Sequence, residues 1–130
     1  IVKEKGVDVV DCSSGGMRGR PVDGTGPVGY GYQVPYADRL RNEAGVMSMA
    51  VGLIVHADQA EAILQEGKAD LIALARELLY NPNWPMDAAQ KLGVDAQFAS
   101  VPPAQAYWLA KRATSVKDLE PSTYRRRLGD

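Results

Sequence analysis

The chain has one cysteine and one histidine, no surplus of either charge, and no long hydrophobic run. A lone thiol, Cys12, excludes an internal disulfide and any cysteine-rich zinc site, and it suits a reducing cytoplasm. At the end of an apolar run Cys12 reads as a small buried hydrophobe rather than a reactive thiol. A lone imidazole, His56, builds no metal constellation, so no metal site is expected. A net charge of -1 gives no electrostatic reason to expect nucleic acid or an anionic membrane as a partner. The one basic run, Arg125 to Arg127, reads as a solvated tail. No stretch approaches the roughly 20 apolar residues of a membrane span, and "IVKEKGVDVV" lacks the design of a signal peptide. The chain also lacks an initiating Met, and it begins as though cut from something longer.

Glycine is present but unevenly spread, with seven of the 13 falling between Ser13 and Tyr32. Among them Gly24-x-Gly26-x-x-Gly29 has the spacing of a dinucleotide-binding turn. That fingerprint has physical meaning only where the first glycine ends a strand and the third opens a helix. Here too many residues separate the apolar run "VDVVDC" from Gly24. Pro27 also falls inside the motif, and Gly29 and Gly31 occupy the place of the helix start. The segment therefore reads as a long loop, of a length that in a compact domain is often functional.

Three similar units follow one another. "GVDVVDC" is a strand preceded by a helix end whose Gly6 is placed like a C-terminal cap. Pro35 starts a helix, "PYADRLRNEAG", that Gly45 closes, and "VMSMAVGLI" (Val46 to Ile54) is the second strand. Asp58 suits an N-cap for "QAEAILQEGKA", whose Ala60, Ile63 and Leu64 share a face. "DLIALA" (Asp70 to Ala75) is the third strand, with a short helical "RELLYNP" directly after it and "MDAAQKLG" beyond the Asn81 to Pro85 turn. The strands are apolar nearly throughout, as expected of a parallel sheet covered on both faces. The alternation of strands and helices selects an α/β fold. Residues 94–130 carry three proline positions before position 122 and no strong periodicity, and they read as an extended tail.

Two α/β architectures compete, the open doubly wound sheet and the (β/α)8 barrel. In barrels a phosphate site is commonly built from the loops after strands seven and eight. Here the second strand ends in Gly52, which lets backbone approach a ligand closely, and the third ends in Ala75-Arg76 at a helix start. Glycine, a small residue and an arginine at one place read as a dianion site, with Arg76 forking onto phosphate oxygens. The competing reading of Arg76 is a surface salt bridge to Glu77 or Asp70.

"VDVVDCSSGG", "GYQVPYADRLRNEAGVMSMAVGLI" and "QAEAILQEGKADLIALARELLYNPNWP" together resemble the C-terminal third of the old yellow enzyme family of flavin-dependent ene-reductases, in its bacterial xenobiotic-reductase branch. The likeness runs from about Val7 to Gly93, with Ala75 standing for the usual glycine of the third motif. It implies the last three βα units of a (β/α)8 TIM barrel over residues 1–93, with 94–130 as the extended C-terminal tail. It further implies FMN as cofactor, NADPH or NADH as reductant and an activated alkene as substrate. Gly52, Ala75 and Arg76 would hold the FMN phosphate, and Ala75 keeps the backbone N–H while adding one methyl group. Trp84 matches an aromatic residue near the substrate pocket, its alternative being packing over the barrel rim. Trp108, with Arg112 behind it, matches a residue that relatives send into a neighbouring subunit, which implies a homo-oligomer assembled through the tail.

Tyr30, Tyr32 and Tyr36 read as loop and packing residues, because the family's proton-donating tyrosine belongs to an earlier part of the chain. The family's substrate-binding pair and flavin-ring residues also precede the motifs found here, so no catalytic residue is assigned and the missing N-terminal half of the barrel is the implied partner. Two rivals remain. One is a non-catalytic α/β module that has lost flavin, and the other is a different FMN barrel enzyme such as a hydroxyacid oxidase.

Overall fold

Three short apolar segments pair in parallel, and two helices carry the chain back between them. The computed structural model describes residues 2–15 and 28–116. A 3-10 turn at Lys3–Lys5 ends at Gly6, which takes the left-handed conformation expected of a cap, and leads into β1 (Val9–Asp11). Then come α1 (Val34–Ala44), β2 (Met47–Ala50), α2 (Ala57–Gln65), β3 (Leu71–Ile72), α3 (Arg76–Tyr80), α4 (Trp84–Lys91) and α5 (Pro103–Ser115). The sheet order is β1-β2-β3, with Val9 opposite Met47, Met49 opposite Leu71 and Ala50 opposite Ile72. The α/β class is therefore observed, as a small parallel sheet with helices.

The strands are shorter than the apolar runs that contain them, because pairing stops where the backbone bends. Just past β2, Gly52 and Leu53 both take positive φ, 112° and 49°, and before α3 Ala75 sits at φ -119° and ψ -83°. Helix α1 starts at Val34 with Pro35 in its first turn and is closed by Gly45 in the left-handed region. Helix α2 starts at Ala57, so its N-cap is His56, two residues before the expected cap, and Asp58 lies inside the first turn. The cause is Gln59. Its Oε1 accepts the Val55 N–H at 3.0 Å and its Nε2 donates to the Leu53 carbonyl at 3.1 Å, which fixes the preceding loop, while Asp58 still places a negative charge near the helix start.

The core lies on the helix side of the sheet. Cys12, Val34, Ala37, Ala50, Ile54, Ala60, Ile63 and Ala69 form one buried cluster, onto which Val10, Leu40, Ile72 and Trp84 pack. Burial also pushes the Cys12 thiol up, so it is a packing residue rather than a reactive one. The opposite face differs from the expectation of a sheet covered on both sides. Met47 and Leu71 stay 49% and 43% exposed, because within the described residues α1 and α2 supply cover on one face alone.

The reading of 94–130 as an extended tail is corrected in part. Residues 103–115 form a helix, because two prolines fit the entry to its first turn and Ala104, Ala106, Leu109, Ala110 and Lys111 are strong helix formers. None of its residues is buried. Before it, the Asp95 carboxylate accepts the Ala99 and Ser100 N–H groups and the Ser100 hydroxyl, which holds that carboxyl below the usual range. Arg125 to Arg127 lie outside the described residues, as do Gly24 and Gly26. Gly29 accepts a turn hydrogen bond from Tyr32, and the next helix opens only at Val34. No helix among the described residues is long and apolar enough to cross a membrane.

Candidate phosphate-binding site

The loops after the three strands meet at the carboxyl end of the sheet and enclose a hollow of about 180 Å³. Gly52, Ala75 and Arg76, singled out from spacing alone, all line it. So do Tyr32 and Gln33 from the approach to α1, and Glu77 from the first turn of α3.

Gly52 is glycine for two reasons. Its φ of 112° is one that side-chain-bearing residues rarely adopt, and a Cβ built there would stand 3.0 Å from the Tyr32 ring and 3.2 Å from the Gln33 side chain. Backbone at this point therefore passes directly over two side chains. Ala75 carries its methyl group at an exposed position, clear of the core.

Arg76 is exposed, and among the described residues it forms no ion pair. The competing partner Asp70 is already engaged. Its Oδ1 accepts Arg41 Nε at 2.9 Å and its Oδ2 accepts the Ser48 N–H at 2.9 Å. The Ser48 bond and the Arg41 guanidinium together hold the Asp70 carboxyl below its usual range. Arg76 is thus left at the hollow, with Glu77 as the acidic group it must outweigh. The first-turn N–H groups of α3 have no acceptor within the helix and point the same way as the positive end of any helix.

Gln33 and Tyr32 were missed by sequence reasoning. Gln33 is 4% exposed, and its Oε1 accepts the Ser14 N–H from the loop after β1. A signal existed in "GYQVP": glutamine at the residue before a Val-Pro helix start is a poor N-cap, and its side chain indeed makes no cap bond to α1.

The two tryptophans lie elsewhere. Trp84 packs against the core cluster, and its indole N–H donates to the Val55 carbonyl at 2.7 Å. Trp108, 64% exposed, sits on α5 with the Tyr107 ring edge-on at 5.2 Å and Lys111 Nζ 5.2 Å from its centroid. It faces a groove shared with Met86, Val101 and Leu109. Neither tryptophan lines the hollow of Gly52 and Arg76. Tyr30 lies tilted against His56 at 5.2 Å, and no group of three or more metal-ligating side chains occurs among the described residues.

A glycine turn, an arginine with no ion pair among the described residues and a buried glutamine meet at the carboxyl ends of parallel strands in an α/β unit. The sequence signature of the NADH:flavin oxidoreductase / NADH oxidase family matches residues 1–95, and the chain belongs to that family. It is 52% identical over 92 residues to an NADPH dehydrogenase of Halalkalibacterium halodurans, which covers 71% of this chain. It is 53% identical over 93 residues to an NADPH dehydrogenase of Geobacillus thermodenitrificans, covering 72%, and 48% identical over 92 residues to one of Listeria monocytogenes serotype 4a. The matched segment makes up 26% of each of these relatives, so the chain spans about a quarter of their length.

Proposed function

We propose that the chain is the phosphate-binding part of an FMN-dependent, NAD(P)H-oxidising ene-reductase and forms the last three βα units of its (β/α)8 barrel. The observation that carries this reading is the meeting of Gly52, Ala75 and Arg76, which has no ion pair among the described residues, around one hollow at the carboxyl end of the sheet. Membership of a flavin oxidoreductase family supports it, as does the 49% exposure of Met47 on the sheet face that a closed barrel turns inward.

The residues present fit the phosphate end of the cofactor. The hollow, about 180 Å³, has room for a phosphate group between Gly52 and Arg76. Arg76 would fork onto two phosphate oxygens. The bend at Gly52 admits backbone beside a third, since no side chain stands in the way. Bound FMN supplies hydride transfer from the nicotinamide to an activated alkene. What these residues add is placement: the phosphate anchors one end of the cofactor at the rim, and the charge of Arg76 offsets that of the dianion. Residues that contact the ring, the nicotinamide and the alkene come from the rest of the barrel in this reading. Trp108, exposed on α5, is the candidate to reach a second copy's substrate pocket, and Trp84 holds the rim. A single cysteine fits a cytoplasmic setting.

The test is an FMN titration followed by flavin fluorescence, on the chain alone and mixed with the complementary N-terminal part of the Geobacillus relative. Saturable binding together with alkene-dependent NADPH oxidation in the mixture is the expected result. No binding in either case would overturn the reading in favour of a module without flavin.

A further inference from the structure

Two side-chain-bearing residues take a positive φ among the described residues, Leu53 at 49° and Phe98 at 57°, and only Leu53 lines the hollow. In the left-handed region a Cβ crowds the following carbonyl, so leucine stays there only where other contacts hold it. Packing of its own side chain does not supply them, since Leu53 is 38% exposed. The contacts fall on its carbonyl. That oxygen accepts the Gly31 N–H at 3.3 Å and Gln59 Nε2 at 3.1 Å. The other end of the same amide, Oε1, accepts the Val55 N–H at 3.0 Å. Gln59 therefore spans the bend from Leu53 to Val55 with one donor and one acceptor, and the Trp84 indole N–H takes the Val55 carbonyl at 2.7 Å. Gly52, Leu53, Ile54 and Val55 all line the hollow, whereas Gln59 does not.

We propose that Gln59 is a positioning residue of the phosphate site: its amide holds Leu53 in the left-handed region, so that the turn from Gly52 to Val55 has its binding shape before the anion arrives. This rests on the reading of the hollow as a phosphate site. A loop already in that shape has less freedom to lose on binding. Only a primary amide of this length makes both bonds at once. A carboxylate would set an oxygen against the Leu53 carbonyl, and a thioether would supply no donor.

The test compares FMN with riboflavin, which has the same ring and lacks the phosphate, in the chain combined with the complementary N-terminal part of the barrel. Gln59→Met keeps the side-chain length, removes both bonds and adds no charge. It should weaken FMN by about fivefold to tenfold while riboflavin affinity stays within about twofold. Adding Leu53→Gly to the same protein removes the need for the clamp, because glycine takes a φ of 49° without strain, and FMN affinity should return to within about threefold of wild type. A purely scaffolding glutamine predicts equal losses for the two flavins and no rescue by Leu53→Gly. Either of those results overturns the proposal, as do unchanged affinities. Should Gln59→Met fail to fold, Gln59→Asn, whose amide is one methylene too short to span both partners, decides by the same ratio. Arg76→Ala separates the two levels of failure. If it shifts the FMN-to-riboflavin ratio and Gln59→Met does not, only this assignment falls. If it too leaves the ratio unchanged, the phosphate site is refuted and this assignment with it.

Discussion

The two ends of this three-stranded sheet use the same kinds of side chain to opposite effect. At the amino end Arg41 donates to Asp70 at 2.9 Å and to the Gly67 carbonyl at 2.8 Å, Asn42 reaches the same carbonyl at 3.1 Å, and Asp70 takes the Ser48 N–H. Donors and acceptors there are consumed by one another. At the carboxyl end Arg76 has no counter-ion among the described residues and stands on the wall of a hollow beside Gln33. A closed polar network ties α1 to β2 and β3, and the open end is the one proposed to take the phosphate. In the proposed reading, stability and ligand binding fall to opposite strand ends of one α/β unit, the arrangement general to barrel enzymes.

Substitutions that confuse the two ends should break this division most. Gly52→Ala forces a side chain onto a φ of 112° and against the Tyr32 ring. It should cost about 1 to 3 kcal/mol of stability and weaken FMN together, measurable by urea unfolding and flavin titration. Arg76→Ala should weaken FMN by about 1 to 3 kcal/mol, the range for losing a charged hydrogen-bond partner, and a titration with unchanged affinity would sink the phosphate assignment. Asp70→Asn should do the reverse, lowering unfolding stability by about 1 to 2 kcal/mol while FMN affinity stays the same.

The Asp70 contribution also carries a pH signature. Its folded pKa is depressed, so its stabilisation is fully present above the ordinary carboxylate range, near pH 4, and is lost as pH falls through the lowered folded value. The stability gap between wild type and Asp70→Asn should accordingly close only in strongly acid solution, and a gap that closes near neutral pH would contradict the pairing. The smallest effect belongs to Ser48, whose hydroxyl is buried without a partner. Ser48→Ala should leave the unfolding midpoint unchanged or raise it slightly, by at most about 1 kcal/mol.

How legible was this in the chain? Glycines at helix ends and apolar runs of strand length were enough to order β1 to α4, since Gly45 and Gly6 act locally. The convergence of Gly52, Ala75 and Arg76 was legible because each directly follows a strand, and parallel strands bring their carboxyl ends together. Gln33 was not, because its partner Ser14 lies 19 residues away and nothing local reports that contact. The helix of residues 103–115 was hidden for a different reason: it buries none of its side chains, so it lacks the apolar periodicity by which helices are read. The open sheet face was hidden too, since runs such as "VMSMA" look the same whether one face is covered or both.

The most direct test measures two quantities on one variant, the FMN dissociation constant and the urea unfolding midpoint of Arg76→Ala. The account predicts weaker FMN binding with the midpoint unmoved, because Arg76 is exposed and pairs with no described residue. A lowered midpoint with FMN affinity intact would contradict it, making Arg76 part of the scaffold and leaving the hollow without an anion to hold.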